Sequence, residues 1–176
     1  SFAAERFGVV PDIMTLAKGL TNAAIPMGAV VVRKHIYDAF MEGAENAIEL
    51  FHGYTYSGHP VACAAGNAAL DIYMNEGLFE RAAELESYWI DAAFSLQDHA
   101  NVIDIRAMGL VGAIELEPIA GKPTVRAFDA FLKCYERGVL VRTTGDIIAL
   151  SPPLIVEKNQ IDQIFETIGD VLKEAA

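Results

Sequence analysis

Apolar positions along the chain follow two spacings, and each spacing predicts a different kind of element. Leu78, Ala82, Leu85, Trp89 and Ala93 recur at i, i+4, i+7, i+11 and i+15, the stripe of an amphipathic helix. Ile161, Ile164, Phe165, Ile168, Val171 and Leu172 form a second stripe and predict the last helix. Val125, Phe128, Phe131, Leu132 and Tyr135 predict the inner face of another, with Thr124 as its cap and Gly138 as its stop. The Ala-rich stretch over residues 61–74 is a strong helix former, opened by Pro60, which a first helical turn tolerates. A short helix is expected over residues 35–41.

Shorter apolar runs, rich in β-branched residues, predict strands at residues 13–17, 28–32, 102–105, 111–116, 139–142 and 147–150. The first two runs read as buried strands, and the first stops at Lys18-Gly19. Gly145-Asp146 forms a turn, and Ser151-Pro152-Pro153 ends the strand that follows it. Residues 20–27, small and broken by Pro26, form a connection, and Phe51 to Pro60 a rigid loop. Val156 stands where a cap for the last helix is expected, with only Asn159 nearby. Strands alternating with helices imply an α/β arrangement, and the break at Asn75-Glu76-Gly77 divides it into residues 1–75 and 76–176.

Composition narrows the function classes. With 53% hydrophobic and 21% charged residues the chain is globular. A net charge of −11 argues against an electrostatic grip on nucleic acid or on an anionic membrane surface. No apolar run approaches the ~20 residues of a membrane-spanning helix. Cys63 and Cys134 lie far apart, and the four histidines form no His-x-x-x-His pair. Free thiols in a reducing, cytoplasmic setting and no structural metal are therefore expected. The opening Ser1-Phe2-Ala3-Ala4-Glu5-Arg6 lacks an initiator Met and a signal-peptide layout, and reads as a cut inside a longer protein.

Lys18 is the leading chemical candidate. A lysine where a buried strand gives way to glycine has its amine on a stiff support, and desolvation there favours the neutral, nucleophilic form. On spacing alone a solvated strand-end lysine is the commoner outcome. Thr55 offers a hydroxyl to a phosphate oxygen within a Gly-containing loop, or bonds its own turn. Arg142 offers a planar fork of donors for a carboxylate, or lies solvated on a hairpin. Tyr54 and Tyr56 suit an interface, His52 and His59 support of their loop, and Asp12 and Asp146 turns.

The wording around these residues says more than their spacing. The segment from Pro11 through Lys18-Gly19-Leu20-Thr21-Asn22 to Ile25-Pro26-Met27-Gly28 resembles the cofactor-lysine signature of class III aminotransferases. His52-Gly53-Tyr54-Thr55-Tyr56-Ser57-Gly58-His59-Pro60 resembles that family's next motif. Val141-Arg142-Thr143-Thr144-Gly145-Asp146, followed by Ser151-Pro152-Pro153-Leu154, is similar to the ω-amino acid–pyruvate or β-alanine–pyruvate subgroup. The resemblance implies a fold-type I enzyme dependent on pyridoxal 5'-phosphate, with Lys18 as its Schiff-base lysine. It implies a homodimer or larger homo-oligomer in which Thr55 reaches the cofactor phosphate of the other subunit, and Arg142 binding the substrate carboxylate. Residues 1–75 would then end the large cofactor-binding domain, and residues 76–176 would form the smaller C-terminal α/β domain.

Amino transfer from an ω-amino acid or amine to a keto acid such as pyruvate is the implied reaction. The family's Asp for the pyridine nitrogen, its ring-stacking aromatic and its phosphate turn precede the lysine, and the 17 residues before Lys18 contain no match. The 176-residue piece is therefore expected to be inactive alone, its missing N-terminal half being a required partner. Rival readings are a 2-oxoglutarate-dependent aminotransferase or an aminomutase of the same fold type, and a non-catalytic α/β binding or assembly fragment.

Overall fold

The structure is a computed structural model and describes residues 2–46, 50 and 55–174. Contacts divide the chain into two compact units, Ser1–Gly77 and Leu78–Ala176.

The first unit opens with the single turn α1 (Ala3–Arg6) and strand β1 (Ile13–Leu16). A 3₁₀ turn over Lys18–Leu20 follows, and the chain returns as β2 (Ala29–Val32), antiparallel to β1 with Ile13 opposite Val32 and Leu16 opposite Ala29. Arg33 closes the hairpin's open end on Asp12, Nε to Oδ1 at 3.0 Å, so Asp12 is an ion-pair partner as well as a turn residue. Helices α2 (Lys34–Phe40) and α3 (Pro60–Asn75) complete the unit. The two strands form where the sequence places them, but they are not buried. Ile13, Val30 and Val31 are all more than half exposed. The pair is a two-stranded ribbon, and no further strand joins it among the described residues. Such a ribbon has no third strand or second layer of its own to bury β-branched side chains.

The second unit runs α4 (Leu78–Phe94), β3 (Val102–Met108), β4 (Val111–Leu116), α5 (Val125–Glu136), β5 (Arg142–Thr144), β6 (Ile147–Leu150) and α6 (Lys158–Glu174). Its strands form one antiparallel sheet in the order β3-β4-β6-β5, with Ile114 opposite Ile148 at its centre. Leu78, Leu85, Trp89 and Ala93 of α4 are buried, and so are Ile161, Phe165, Ile168, Val171 and Leu172 of α6, as their stripes predict. Trp89 anchors this core. Its ring meets Phe165 edge-on at 4.9 Å, and its indole N–H donates to the Val111 carbonyl at 3.1 Å. That bond lets a polar ring nitrogen lie in an apolar interior.

Several local expectations are corrected. Helix α5 buries Ala127, Ala130 and Cys134, whereas Val125, Phe128, Leu132 and Tyr135 face outward. Both sets have helical spacing; the small side chains face the core, Phe131 packs against its edge as expected, and the other bulky residues lie outside. Phe128 and Phe131 centroids are 5.8 Å apart, Phe131 and Tyr135 6.5 Å apart. Thr124 does not cap α5 with its side chain. Its backbone is left-handed at φ 72°, and its N–H donates to the Asp146 carboxylate at 2.9 and 3.0 Å. Asp146 thus ties the β5–β6 turn to the start of the helix. Strand β5 begins only at Arg142, after Val139 and Val141 have entered the core, and β3 extends as far as Met108. Val156 is a core residue preceding α6 rather than a failed cap, and the Gln160 side chain accepts the Glu157 N–H at 2.9 Å instead.

Replacing Ile148 with Ala is expected to cost about 2–5 kcal/mol, because a fully enclosed methyl-rich side chain leaves a cavity at the sheet centre. Urea unfolding followed by tryptophan fluorescence measures it. Burial pushes the Cys134 thiol up to about 11, outweighing the nearby Arg137. A thiol reagent at pH 8 should therefore label Cys134 only on unfolding, because both thiolate fraction and access are low in the native state. Mass analysis after timed quenching reads this, and rapid native labelling would contradict the packing.

Candidate active site

The connection after β1 concentrates unusual backbone. Among the described residues five non-glycine residues have positive φ, and Lys18 (55°), Asn22 (48°) and Ala23 (59°) are three of them. For residues bearing a Cβ the left-handed region is costly, and such strain gathers at functional sites. The turn's own bonds are long. Leu20, Thr21 and Asn22 N–H reach Ala17, Lys18 and Gly19 carbonyls at 3.3 Å, and Ala23 N–H reaches Lys18 at 3.4 Å. Two shorter side-chain bonds hold the segment: the buried Thr21 hydroxyl donates to the Ile25 carbonyl at 2.7 Å, and the Tyr73 hydroxyl to the Gly19 carbonyl at 2.7 Å.

Lys18 itself is exposed, not desolvated as the strand-end reading expects. The ribbon supplies no wall around it. What distinguishes Lys18 is that no hydrogen bond, ion pair or ring contact engages its side chain among the described residues. Of the 13 lysines and arginines, only Lys18, Lys122 and Arg142 share this condition among the described residues.

Thr55 is exposed and lines a cavity of about 680 Å³ in the first unit. Its walls include Pro26, Met27 and Gly28 of the loop after Lys18, then Ser57 and His59 at the start of α3. Hydroxyls of Thr55 and Ser57 beside a helix N-terminus suit an anionic group. Lys18 does not line this cavity. His52 and Tyr54 lie outside the described residues, while Tyr56 is 84% exposed and His59 precedes α3 without capping it through its side chain.

Arg142 belongs to the second unit. It is exposed at the start of edge strand β5 and lines a cavity of about 730 Å³ with Thr143, Phe128, Leu140, Pro152 and Pro153. Its guanidinium therefore has a mostly apolar neighbourhood and, among the described residues, no partner on its donor fork.

The chain matches the class-III aminotransferase family over residues 1–172. It belongs to that family. It is 61% identical over 171 residues to an omega-aminotransferase of Caulobacter vibrioides, covering 97% of this chain. It is 47% identical over 175 residues to a beta-alanine–pyruvate aminotransferase of Pseudomonas aeruginosa, covering 98% of this chain. The chain spans 39% of the length of each of these relatives. Among solved structures, an amine transaminase from an uncultivated Pseudomonas species in its PLP-bound form superposes with a TM-score of 0.88 at 32% identity. That match covers 98% of this chain and 40% of the other. The mixed α/β fold is thus that of a class-III aminotransferase segment.

Sequence reasoning missed Thr21 and Tyr73. Thr21 is a polar residue among small ones, a weak signal without knowledge of its burial, and Tyr73 reads as one apolar position in an Ala-rich helix. Thr21→Val should cost about 1–3 kcal/mol of stability in the first unit, because the Ile25 carbonyl loses a donor beside a buried position. Faster amide exchange over residues 20–25 is the measurement, and unchanged protection would refute the assignment.

Proposed function

We propose that this chain is part of an aminotransferase that moves an amino group from an ω-amino acid or amine to pyruvate, using pyridoxal 5'-phosphate held on Lys18. The observation carrying this reading is the Lys18 amine, unpaired among the described residues, on a left-handed turn within the cofactor-lysine wording of the class-III family. The residues present fit the group. An aldehyde needs an amine not already committed to a carboxylate, and a phosphate needs hydroxyl and N–H donors such as those around Thr55.

When bound, pyridoxal phosphate supplies an aldehyde for the lysine and a conjugated ring that takes up the electron pair left by proton removal. Lys18 Nζ would bind it, then, once displaced by the incoming amine, take the proton from the amine-bearing carbon and deliver it to the cofactor side. Thr55 would donate its hydroxyl to a phosphate oxygen across a homodimer interface. Arg142 would hold the carboxylate of pyruvate or alanine by two parallel hydrogen bonds and turn aside for donors lacking one. The names of the Caulobacter and Pseudomonas relatives support the choice of ω-amino donors and pyruvate.

Residues 1–75 would close the large cofactor-binding domain, and residues 76–176 would form the small one. The relatives' remaining length would supply the walls that desolvate Lys18, along with the groups that hold the pyridine nitrogen and ring. A cytoplasmic setting goes with this reading.

The full-length protein treated with pyridoxal phosphate and then borohydride should carry a pyridoxyl group on Lys18, found by peptide mass analysis, and Lys18→Ala should carry none. Label on other lysines alone would sink the proposal. Arg142→Ala should raise the KM for pyruvate about 10- to 100-fold, the loss of a charge-assisted pair, with less effect on a donor amine lacking a carboxylate. Parallel assays with pyruvate and 2-oxoglutarate separate the subgroups, and preference for 2-oxoglutarate would exclude the pyruvate assignment.

A further inference from the structure

Helix α3 meets the lysine turn along one face. Ala62, Gly66, Ala69 and Tyr73 fall at successive spacings of four, three and four, which puts them on the same side of the helix. The first three are buried, and their small size lets the helix come close. A Cβ at Gly66 would stand 3.4 Å from Met27 Sδ and 3.7 Å from the Leu20 carbonyl oxygen. At the end of this face Tyr73 reaches the turn, and its hydroxyl donates to the Gly19 carbonyl at 2.7 Å. The same carbonyl accepts the Asn22 N–H at 3.3 Å, so the tyrosine makes the shorter of its two bonds. Gly19 directly follows Lys18, and fixing its peptide plane limits how the left-handed Lys18 backbone can relax. An unstrained Lys18 would leave β1 in another direction and carry its amine elsewhere.

We propose that Tyr73 is a positioning residue for Lys18: by holding the Gly19 carbonyl it keeps the lysine in the backbone conformation that presents its amine. The inference rests on Lys18 being the cofactor lysine, and it acts through the turn, with no contact between Tyr73 and the cofactor.

The test is Tyr73→Phe in the full-length protein, which keeps the ring and removes only the donor. Tyr37→Phe, an exposed change on α2, is the control. In the cofactor-free protein, amide exchange at Thr21, Asn22 and Ala23 should quicken about three- to tenfold in Tyr73→Phe, the loss of one neutral hydrogen bond. In the loaded protein, the pH midpoint of the visible absorbance band should shift, and kcat should fall by a similar factor with the KM for pyruvate within about twofold, because positioning acts on the reacting amine rather than on substrate binding. Tyr37→Phe should leave all three unchanged. Borohydride labelling of Lys18 in both variants separates the two levels of the argument. Lys18 labelled in both, with exchange and pH midpoint unaltered by Tyr73→Phe, overturns the role of Tyr73 alone. Absence of label on Lys18 in the unmutated protein overturns the cofactor assignment and this inference with it.

Discussion

A residue with a side chain, held in the left-handed backbone region in the turn after a strand, sets the terms for the first unit. For Lys18 that conformation costs about 1–2 kcal/mol, and the long hydrogen bonds of the 3₁₀ turn are poorly placed to offset it. The offset comes from side-chain bonds and packing. Thr21 closes the loop on Ile25, Tyr73 fastens Gly19, and the small residues of α3 allow the helix near enough for this to happen. The Ala-rich composition of α3 therefore serves the lysine turn as well as helix propensity. Larger side chains at Ala62 or Ala69 would hold the helix away and put the tyrosine hydroxyl out of reach.

Legibility in the sequence followed side-chain size. Helices α4 and α6 bury their large apolar residues, so their stripes gave both the element and its inward face. In α5 the rule inverts. Ala127, Ala130 and Cys134 face the core while Phe128 and Tyr135 lie outside, so a reading weighted by bulk finds the helix but, Phe131 apart, turns it outward. Strands β1 and β2 were legible as strands from their β-branched runs, while their exposure depends on what covers a ribbon, which no local pattern encodes. The same limit applies to Lys18. Its position at a strand end could be read, but its solvation depends on walls the described chain does not provide. Lys18, Thr55 and Arg142 stood out through motif wording. Tyr73 had no such wording, and its contact with Gly19 spans 54 positions of sequence.

Charge pairing gives the candidate residues a physical distinction independent of any motif. The chain carries 24 acidic residues against 13 basic ones, so a cation taken at random has carboxylates to choose from. Most have chosen. Arg33 pairs with Asp12, Arg106 is clasped by Asp104 and Glu115, Arg137 bonds Glu174, and Lys34, Lys133 and Lys173 pair within their own helices. Among the described residues the side chain of Lys122, in an exposed turn, is unengaged as that of a solvated surface lysine usually is. The other two are Lys18 and Arg142.

An engaged cation is a poor receptor. To take a ligand carboxylate, Arg106 must first release one of its own, forfeiting a charge-assisted bond of about 1.5–3 kcal/mol before any gain begins. Arg142 has no carboxylate to release among the described residues, and the largely apolar lining beside it weakens the competition from water. The net charge of −11 would repel the proposed keto acid only weakly at physiological salt, where fields between exposed charges fade over about 8 Å. In an acidic protein, keeping a guanidinium free of the surrounding carboxylates is therefore a condition for binding a carboxylate substrate. In the role proposed for Lys18, keeping it free of them would be the corresponding condition for an amine that gives up its proton, since a carboxylate at its side would favour the ammonium.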